Sequence, residues 1–132
     1  MRTVLSTLIL ASAAAASAAA SDASTSEREA QNLARYEPYA GAPMARIDNF
    51  DLLRYEMVGP SYVLVWGKRP GDLFLLSFRE PCRELESAQA LALRTSSRTL
   101  RAGIDFVEAR GRSCFIEQIR PIDERAMRAA KG

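Results

Sequence analysis

The chain has 132 residues, of which 18 are Lys or Arg, 16 are Asp or Glu and none is His. This length suits one domain, and a net charge of only +2 gives no overall attraction to nucleic acid or anionic lipid. The lack of histidine excludes a Ser-His-Asp or Cys-His catalytic centre and a metal site built on imidazole. We therefore expect no cofactor and no nucleic-acid partner.

Residues 1–20 have the pattern of a secretory signal peptide. A short basic start containing Arg2 precedes an apolar run of Val, Leu, Ile and Ala. Ala18-Ala19-Ala20 offers an A-x-A cleavage site before Ser21, and Ala16-Ser17-Ala18 offers another. A membrane anchor is the alternative, but the run is too short and too rich in alanine to span a bilayer comfortably. We predict cleavage, which lowers the net charge from +2 to about +1. We also predict a periplasmic or secreted location and no membrane span in the mature chain.

Residues 21–45 are predicted to form a flexible segment that contains a short helix. Ser26 and Glu29 have the spacing of a capping box, which places the start of this helix at Glu27 and its end near Tyr36. Two prolines and a glycine between residues 37 and 43 indicate a linker. A β domain is then expected over residues 46–123, with a first strand at about residues 53–58.

The clearest local pattern is a hairpin between Ser61 and Phe78. Two runs of apolar, β-branched and aromatic residues flank the turn-forming stretch from Gly67 to Gly71. If Trp66 faces Asp72, strand alternation puts six large side chains on one face: Tyr62, Leu64, Trp66, Phe74, Leu76 and Phe78. The opposite face is also apolar, so we expect the hairpin to lie at the centre of a curled sheet.

The second half of the chain has three further strand patterns. A short helix from Cys82 to about Ala88 is predicted to precede strands over residues 90–95, 103–109 and 113–119, the last with a bulge near Glu117. Asp123 is predicted to cap a helical tail over residues 124–132. These elements predict a mainly β (α+β) fold, a small antiparallel barrel- or sandwich-like sheet of five to six strands with short helices.

Two cysteines, Cys82 and Cys114, remain in the exported chain. An even count in an oxidising compartment predicts one structural disulfide. A redox-active or metal-binding pair is the alternative, and the missing C-x-x-C motif and missing histidines argue against it.

Several pieces of the sequence occur in an order that resembles a known family. They are the Val-Leu-Val-Trp strand, the Pro-Gly turn, Pro81-Cys82, Leu93-Arg94-Thr95-Ser96-Ser97, Ile104-Asp105 and Cys114-Phe115-Ile116. This order, over roughly residues 47–123, is similar to a family of small exported proteobacterial-type proteins of unknown function. The resemblance implies a periplasmic protein with a Cys82–Cys114 disulfide, and it implies no activity or site residues.

Two kinds of candidate site follow from the charged residues. Arginines concentrate in the second half and could hold an anion if their turns meet at one end of the sheet: Arg94, Arg98, Arg101, Arg110 and Arg112. Carboxylates are the other route, with Asp105 inside an apolar strand and an acid near the first strand, Asp48, Asp51 or Glu56. Structural roles are the simpler interpretation of these carboxylates.

The leading functional hypothesis is a non-catalytic binding or interaction module of the cell envelope, with the arginines as its contact surface. A carboxylate-based hydrolase centred on Asp105 is the first alternative. The second is an accessory subunit that binds its partner through residues 21–45. The ligand, the partner and the oligomeric state do not follow from the sequence, and we assign no catalytic, cofactor-binding or metal-binding residue.

Overall fold

Eight strands and two helices make up the fold in the computed structural model, which describes residues 17–87, 91–94 and 98–131. The strands are β1 (Arg46–Ile47), β2 (Leu52–Gly59), β3 (Tyr62–Gly67), β4 (Leu73–Phe78), β5 (Ala92–Arg94), β6 (Leu100–Arg101), β7 (Phe106–Ala109) and β8 (Arg112–Pro121). The helices are α1 (Ser17–Ala34) and α2 (Glu124–Lys131), and 3₁₀ turns cover Glu37–Tyr39 and Arg83–Ser87. None of the helices in these ranges is long and apolar enough to cross a membrane.

Six strands form one antiparallel sheet in the order β2-β3-β4-β8-β7-β5, and β1 pairs separately with β6. The large sheet curls into a half-barrel, which confirms the predicted mainly β fold with five to six principal strands. The hairpin of β3 and β4 lies inside the sheet, as predicted, and side chains on both of its faces are buried. One face lines the inside of the curl with Val63, Val65 and Leu76, while Leu64 and Leu75 belong to a second core.

The predicted register of this hairpin is wrong by one residue. Trp66 pairs with Leu73 rather than with Asp72, because the Gly67 amide donates to the Asp72 carbonyl at 2.9 Å and so shortens the loop by one residue, to residues 68–71. A slip of one residue moves every side chain of a strand to the other face. Phe74 therefore belongs to the core inside the curl, and Trp66 belongs to the core on the outer face.

Helix α1 packs on the outer face and begins earlier than predicted. The capping box at Ser26 is wrong, because the helix runs through this residue from Ser17. Glu29 instead binds elsewhere in the fold: its carboxylate accepts a hydrogen bond from the Ser61 amide at 2.7 Å. Asn32 adds a side-chain hydrogen bond to the Val58 carbonyl at 3.1 Å. Glu29 therefore contacts the β2–β3 turn instead of capping the helix as the local sequence had predicted.

Strand β8 joins the sheet to the segments on either side of it. Ser77 pairs with Gln118 and Phe78 with Ile116, so Glu117 is the extra residue of a bulge, as predicted. Beyond the bulge, backbone hydrogen bonds connect β8 to residues 41 and 44. At the end of the strand, Asp123 caps α2 as predicted, since its Oδ1 accepts from the Ala126 amide at 3.0 Å.

The disulfide between Cys82 and Cys114 is present, and both cysteines are buried. It connects the exit of the central hairpin to β8. In the chain-entropy model a loop of this length contributes about 3–4 kcal/mol of stability.

Two predictions between residues 82 and 109 need correction. The segment after Cys82 forms a 3₁₀ turn rather than an α-helix, and it ends at Ser87. Strand β7 begins at Phe106, not at Gly103, because the chain turns at Gly103 with φ 81°. The predicted strand over residues 90–95 is β5, although residues 88–90 and 95–97 lie outside the described residues.

Candidate functional site

The five arginines predicted as an anion site are not gathered at one end of the sheet. Arg94 pairs with Phe106 at one end of β7, while Arg112 pairs with Ala109 at the other end. Four strand residues separate these positions by about 10 Å along the strand. Arg110 lies beside Arg112 in the β7–β8 turn, where it and Gly111 both have positive φ. The turn therefore places two of the five arginines together and keeps Arg94 apart.

The other members of this arginine group occupy a third place. Arg98 lies in the loop before β6, and its Nε is 3.8 Å from a carboxylate oxygen of Asp51. Arg101 is exposed in β6, which pairs with β1. Anion binding by all five residues as one patch is thus not supported by their placement.

Arg112 is engaged by an acid. Its Nη1 lies 3.0 Å from Oε1 of Glu84. The pKa of Glu84 is lowered chiefly by a hydrogen bond from its own backbone amide and further by the Arg112 guanidinium, while desolvation opposes both. Glu84 also lies close to Cys82 and Cys114. Because the two sulfur atoms are bonded to each other, they offer no thiolate to a metal ion.

Asp105 has a structural partner. Its side chain is buried, at 7% exposure, and its Oδ2 accepts a hydrogen bond from the Arg101 amide at 2.6 Å. The Asp105 amide donates in return to the Arg101 carbonyl at 3.1 Å, so the residue closes the turn between β6 and β7. A structural role, the simpler interpretation of this buried carboxylate, agrees with this hydrogen bonding.

The acids near the first strand are also engaged. Asp48 lies 3.5 Å from Arg46, Asp51 contacts Arg98, and Glu56 is 3.5 Å from the Tyr36 hydroxyl. These contacts give no support to a hydrolase built on Asp105 and a second acid.

A cleft of about 740 Å³ opens elsewhere, between the β3–β4 loop and the start of α2. One wall comes from β2 and the loop, including Arg54 and Lys68, and the other comes from α2, including Arg125. Its volume lies in the range of small-molecule sites, about 300–1,000 Å³. The cleft is brought together by the Ile122 amide, which donates to the Leu73 carbonyl at 2.9 Å and fixes the chain entering α2 beside the hairpin.

A β-bulge shapes the first wall of the cleft. Leu52 pairs with Gly67 and Arg54 with Trp66, so Leu53 is an extra residue in the edge strand β2. Side chains of consecutive strand residues normally point to opposite faces, but a bulge re-aims them. Leu53 and Arg54 consequently both line the cleft, and Leu53 is 63% exposed.

Trp66 lies at the base of this wall and is 9% exposed. The Cζ of Arg54 is 3.9 Å from the centre of the Trp66 ring, a cation–π contact. Among the described residues, the buried indole nitrogen of Trp66 has no hydrogen-bond acceptor. The Arg54 guanidinium is therefore stacked on the face of the Trp66 ring, and the indole N–H of the same ring has no acceptor among the described residues.

Positive charge exceeds negative charge around the cleft. The three acidic residues that line it all have partners: Asp72 with Arg69 at 3.0 Å, Glu124 with Arg128, and Asp123 with the Ala126 amide. Three further cations, Arg54, Lys68 and Arg125, line the cleft and form no ion pair with a described residue. The surplus favours binding of an anion.

Comparison with known proteins gives a family but no activity. A family model described as "Family of unknown function (DUF6491)" matches residues 1–132. The chain belongs to this family. No curated protein and no solved structure matches the chain significantly. The match agrees with the resemblance to a family of unknown function, while export and envelope location stay predictions.

The sequence gives no direct sign of the three cleft cations that form no ion pair within the described part of the chain. The sequence predicts only a turn at Lys68, the first strand at Arg54 and a helical tail at Arg125. The available indication was the proximity of Lys68 and Arg69 to the only tryptophan of the chain. The contribution of α2 depends on strand pairing over a long sequence separation, which a local pattern does not reveal.

Proposed function

We propose that this protein is an exported, non-catalytic binding module of the cell envelope, which holds the acidic groups of an envelope ligand in the cleft beside Trp66. The observation that carries the proposal is a set of three cations that have no acidic partner among the described residues, around a cleft whose own acids are engaged. In this proposal the contact surface is formed by Arg54 and its neighbours, whereas the sequence predicted it at five arginines in the second half of the chain.

The chemistry of the cleft suits recognition better than catalysis. Arginine and lysine bind oxyanions through charge-assisted hydrogen bonds but are poor general bases at neutral pH because they stay protonated. The carboxylates that could act as bases there are bound to Arg69, to Arg128 and to the Ala126 amide. Binding without turnover is therefore the function that the arrangement favours.

Binding to a carboxylated polysaccharide tests this proposal. We expect the oxidised protein to bind alginate in preference to neutral dextran, and we expect the affinity to fall as salt rises because the contacts are electrostatic. Arg54→Gln combined with Lys68→Gln should abolish the preference. Arg98→Ala combined with Arg101→Ala is the matched control, which removes the same charge elsewhere and should retain it. Equal binding of the two polymers, or loss in the control only, would contradict the proposal.

Export is supported by the leader pattern and by the disulfide, since such bonds form and persist in oxidising compartments. The intact mass of the protein recovered from the envelope fraction tests it. The mass should correspond to a chain that starts at about Ser21 and should rise by about 2 Da on reduction. A full-length protein retained in the cytoplasm would contradict export.

A further inference from the structure

We infer that Arg54, held on Trp66, is the receptor for a single oxyanion, and that the cleft takes an amphiphilic acid, a carboxylate or phosphate joined to an apolar group. The inference rests on the proposed function and specifies the ligand of the same cleft. It follows from four features of the cleft: the orientation of Arg54, the other cations, the exposed Leu53 and the unsatisfied indole nitrogen.

The first feature is that Arg54 is oriented without being neutralised. The guanidinium lies over the face of the Trp66 ring at 3.9 Å. Stacking uses the plane of the guanidinium and leaves its in-plane N–H groups available, in the fork that matches two oxygens of a carboxylate or phosphate. An acidic partner would have used these donors, and no described residue forms an ion pair with Arg54.

The second feature is additional positive charge from both walls. Lys68 follows the ring by two residues on the loop, and Arg125 comes from the first turn of α2. Each oxygen of an oxyanion can accept more than one hydrogen bond, so a group bound to Arg54 has capacity left for these donors. The neighbouring acids cancel only part of this charge, because Asp72 and Glu124 are each paired with an arginine, which leaves Asp123 against the three cations.

The third feature selects the rest of the ligand. Leu53 is 63% exposed beside Arg54 because the bulge turns it toward the cleft. An inorganic anion would leave this side chain in water. An acid with an apolar chain covers it, and burial of apolar surface adds to the affinity. We therefore expect hexanoate to bind more tightly than acetate, and hexyl phosphate more tightly than inorganic phosphate.

The fourth feature is the indole N–H of Trp66, a donor in a side chain only 9% exposed that has no acceptor among the described residues. Buried donors in proteins are nearly always paired. Arg54 covers the face of this ring, whereas the indole N–H donates in the plane of the ring, so the stack itself does not occupy the donor direction. A ligand oxygen that reaches this edge of the ring would complete the hydrogen bonding of the site.

Trp66 is the only tryptophan of the chain, so its fluorescence reports on the site directly. The oxidised exported protein is titrated with acetate, hexanoate, inorganic phosphate, hexyl phosphate and, as the uncharged probe, hexanol. We expect a saturable change with the two amphiphilic acids and none with hexanol. Comparison of hexanoate with hexyl phosphate tells whether a carboxylate or a phosphate is preferred.

Three variants locate the binding. Arg54→Gln should weaken hexanoate or hexyl phosphate binding at least tenfold, which corresponds to about 1.4 kcal/mol. Leu53→Ser should reduce the preference for hexanoate over acetate while leaving acetate binding unchanged. Arg101→Gln removes an exposed arginine outside the cleft and should change neither affinity. Calorimetric titration of the same variants avoids any direct effect of Arg54 on fluorescence, and thermal unfolding checks that each variant is folded.

The possible outcomes separate this inference from the proposed function. If Arg54→Gln still binds alginate and the protein does not respond to the small acids, Arg54 is not the oxyanion receptor, but the proposed binding module stands. If the small acids bind and alginate does not, Arg54 is supported as the receptor, and a carboxylated polysaccharide is excluded as the ligand. Binding to vesicles of anionic phospholipid, with no response to soluble hexanoate or hexyl phosphate, shows a surface interaction and overturns the inference.

Discussion

Replacement of Trp66 by alanine tests how the outer core and the cleft depend on one side chain. The ring is 9% exposed and packs in one cluster with Leu64, Leu73 and Ile122. Truncation of a buried aromatic residue to alanine costs about 3–5 kcal/mol, and loss of the Arg54 stack adds about 0.5–1 kcal/mol. Relief of the unsatisfied indole N–H returns about 1–3 kcal/mol. We therefore expect a net loss of about 3 kcal/mol.

Trp66→Phe is the matched control for this truncation. It keeps a ring in the core and removes the unpaired N–H, so the two effects offset and the expected loss is below about 1.5 kcal/mol. Because the wild type has only one tryptophan, unfolding of both variants is best followed by far-ultraviolet circular dichroism in urea.

With an m-value of about 1–3 kcal/mol/M, Trp66→Ala should lower the urea midpoint by about 1–3 M at unchanged m. A loss below about 1 kcal/mol would refute the burial of Trp66. A Phe variant as unstable as the Ala variant would show that the indole nitrogen has a partner after all.

Three further predictions concern the attachment of α1, the disulfide and the pH dependence of stability. A methyl group at Gly59 would collide with the Glu29 side chain, so Gly59→Ala should cost about 1.5–3 kcal/mol through the lost hydrogen bond to Ser61. Combined with Glu29→Ala it should cost little more, and additive losses in a double-mutant cycle would contradict the contact. Reduction of the disulfide should lower the free energy of unfolding by about 3–4 kcal/mol in urea titrations, and an unchanged midpoint would count against this estimate. Glu84 has a pKa below its usual value of 4.5 when folded, so its stabilisation is present above about pH 4.5 and declines as the pH falls through the folded pKa. Glu84→Gln should therefore flatten the acid limb of stability against pH, and identical limbs would exclude this role.

The sequence was sufficient for those parts of the fold that local patterns determine. The hairpin and the cap at Asp123 depend on residues close together in the chain, and the bulge at Glu117 is marked by a local break in the apolar alternation of β8. The register of the hairpin was not determined in this way. Register follows from hydrophobic alternation only when one face is polar, and both faces of β3 and β4 are apolar and buried.

The start of α1 and the cleft depend on contacts between distant segments. Ser26 and Glu29 fit a capping box, but Glu29 gains a hydrogen bond from the amide of Ser61, which the local pattern does not contain. The cleft requires the bulge at Leu53 and the pairing of the chain before α2 with the hairpin. Neither leaves a periodic signature, so the cleft was not identified from the sequence.

The central claim is that acidic ligands bind at the ring of Trp66. A ¹⁵N–¹H correlation spectrum of the oxidised mature protein tests it most directly, because a chain with one tryptophan gives one indole N–H signal. During titration with short alginate fragments, this signal should move saturably in the wild type and stay fixed in Arg54→Gln. If the indole signal stays fixed in the wild type while amides near Arg101 or Arg112 move, the cleft is not the binding site.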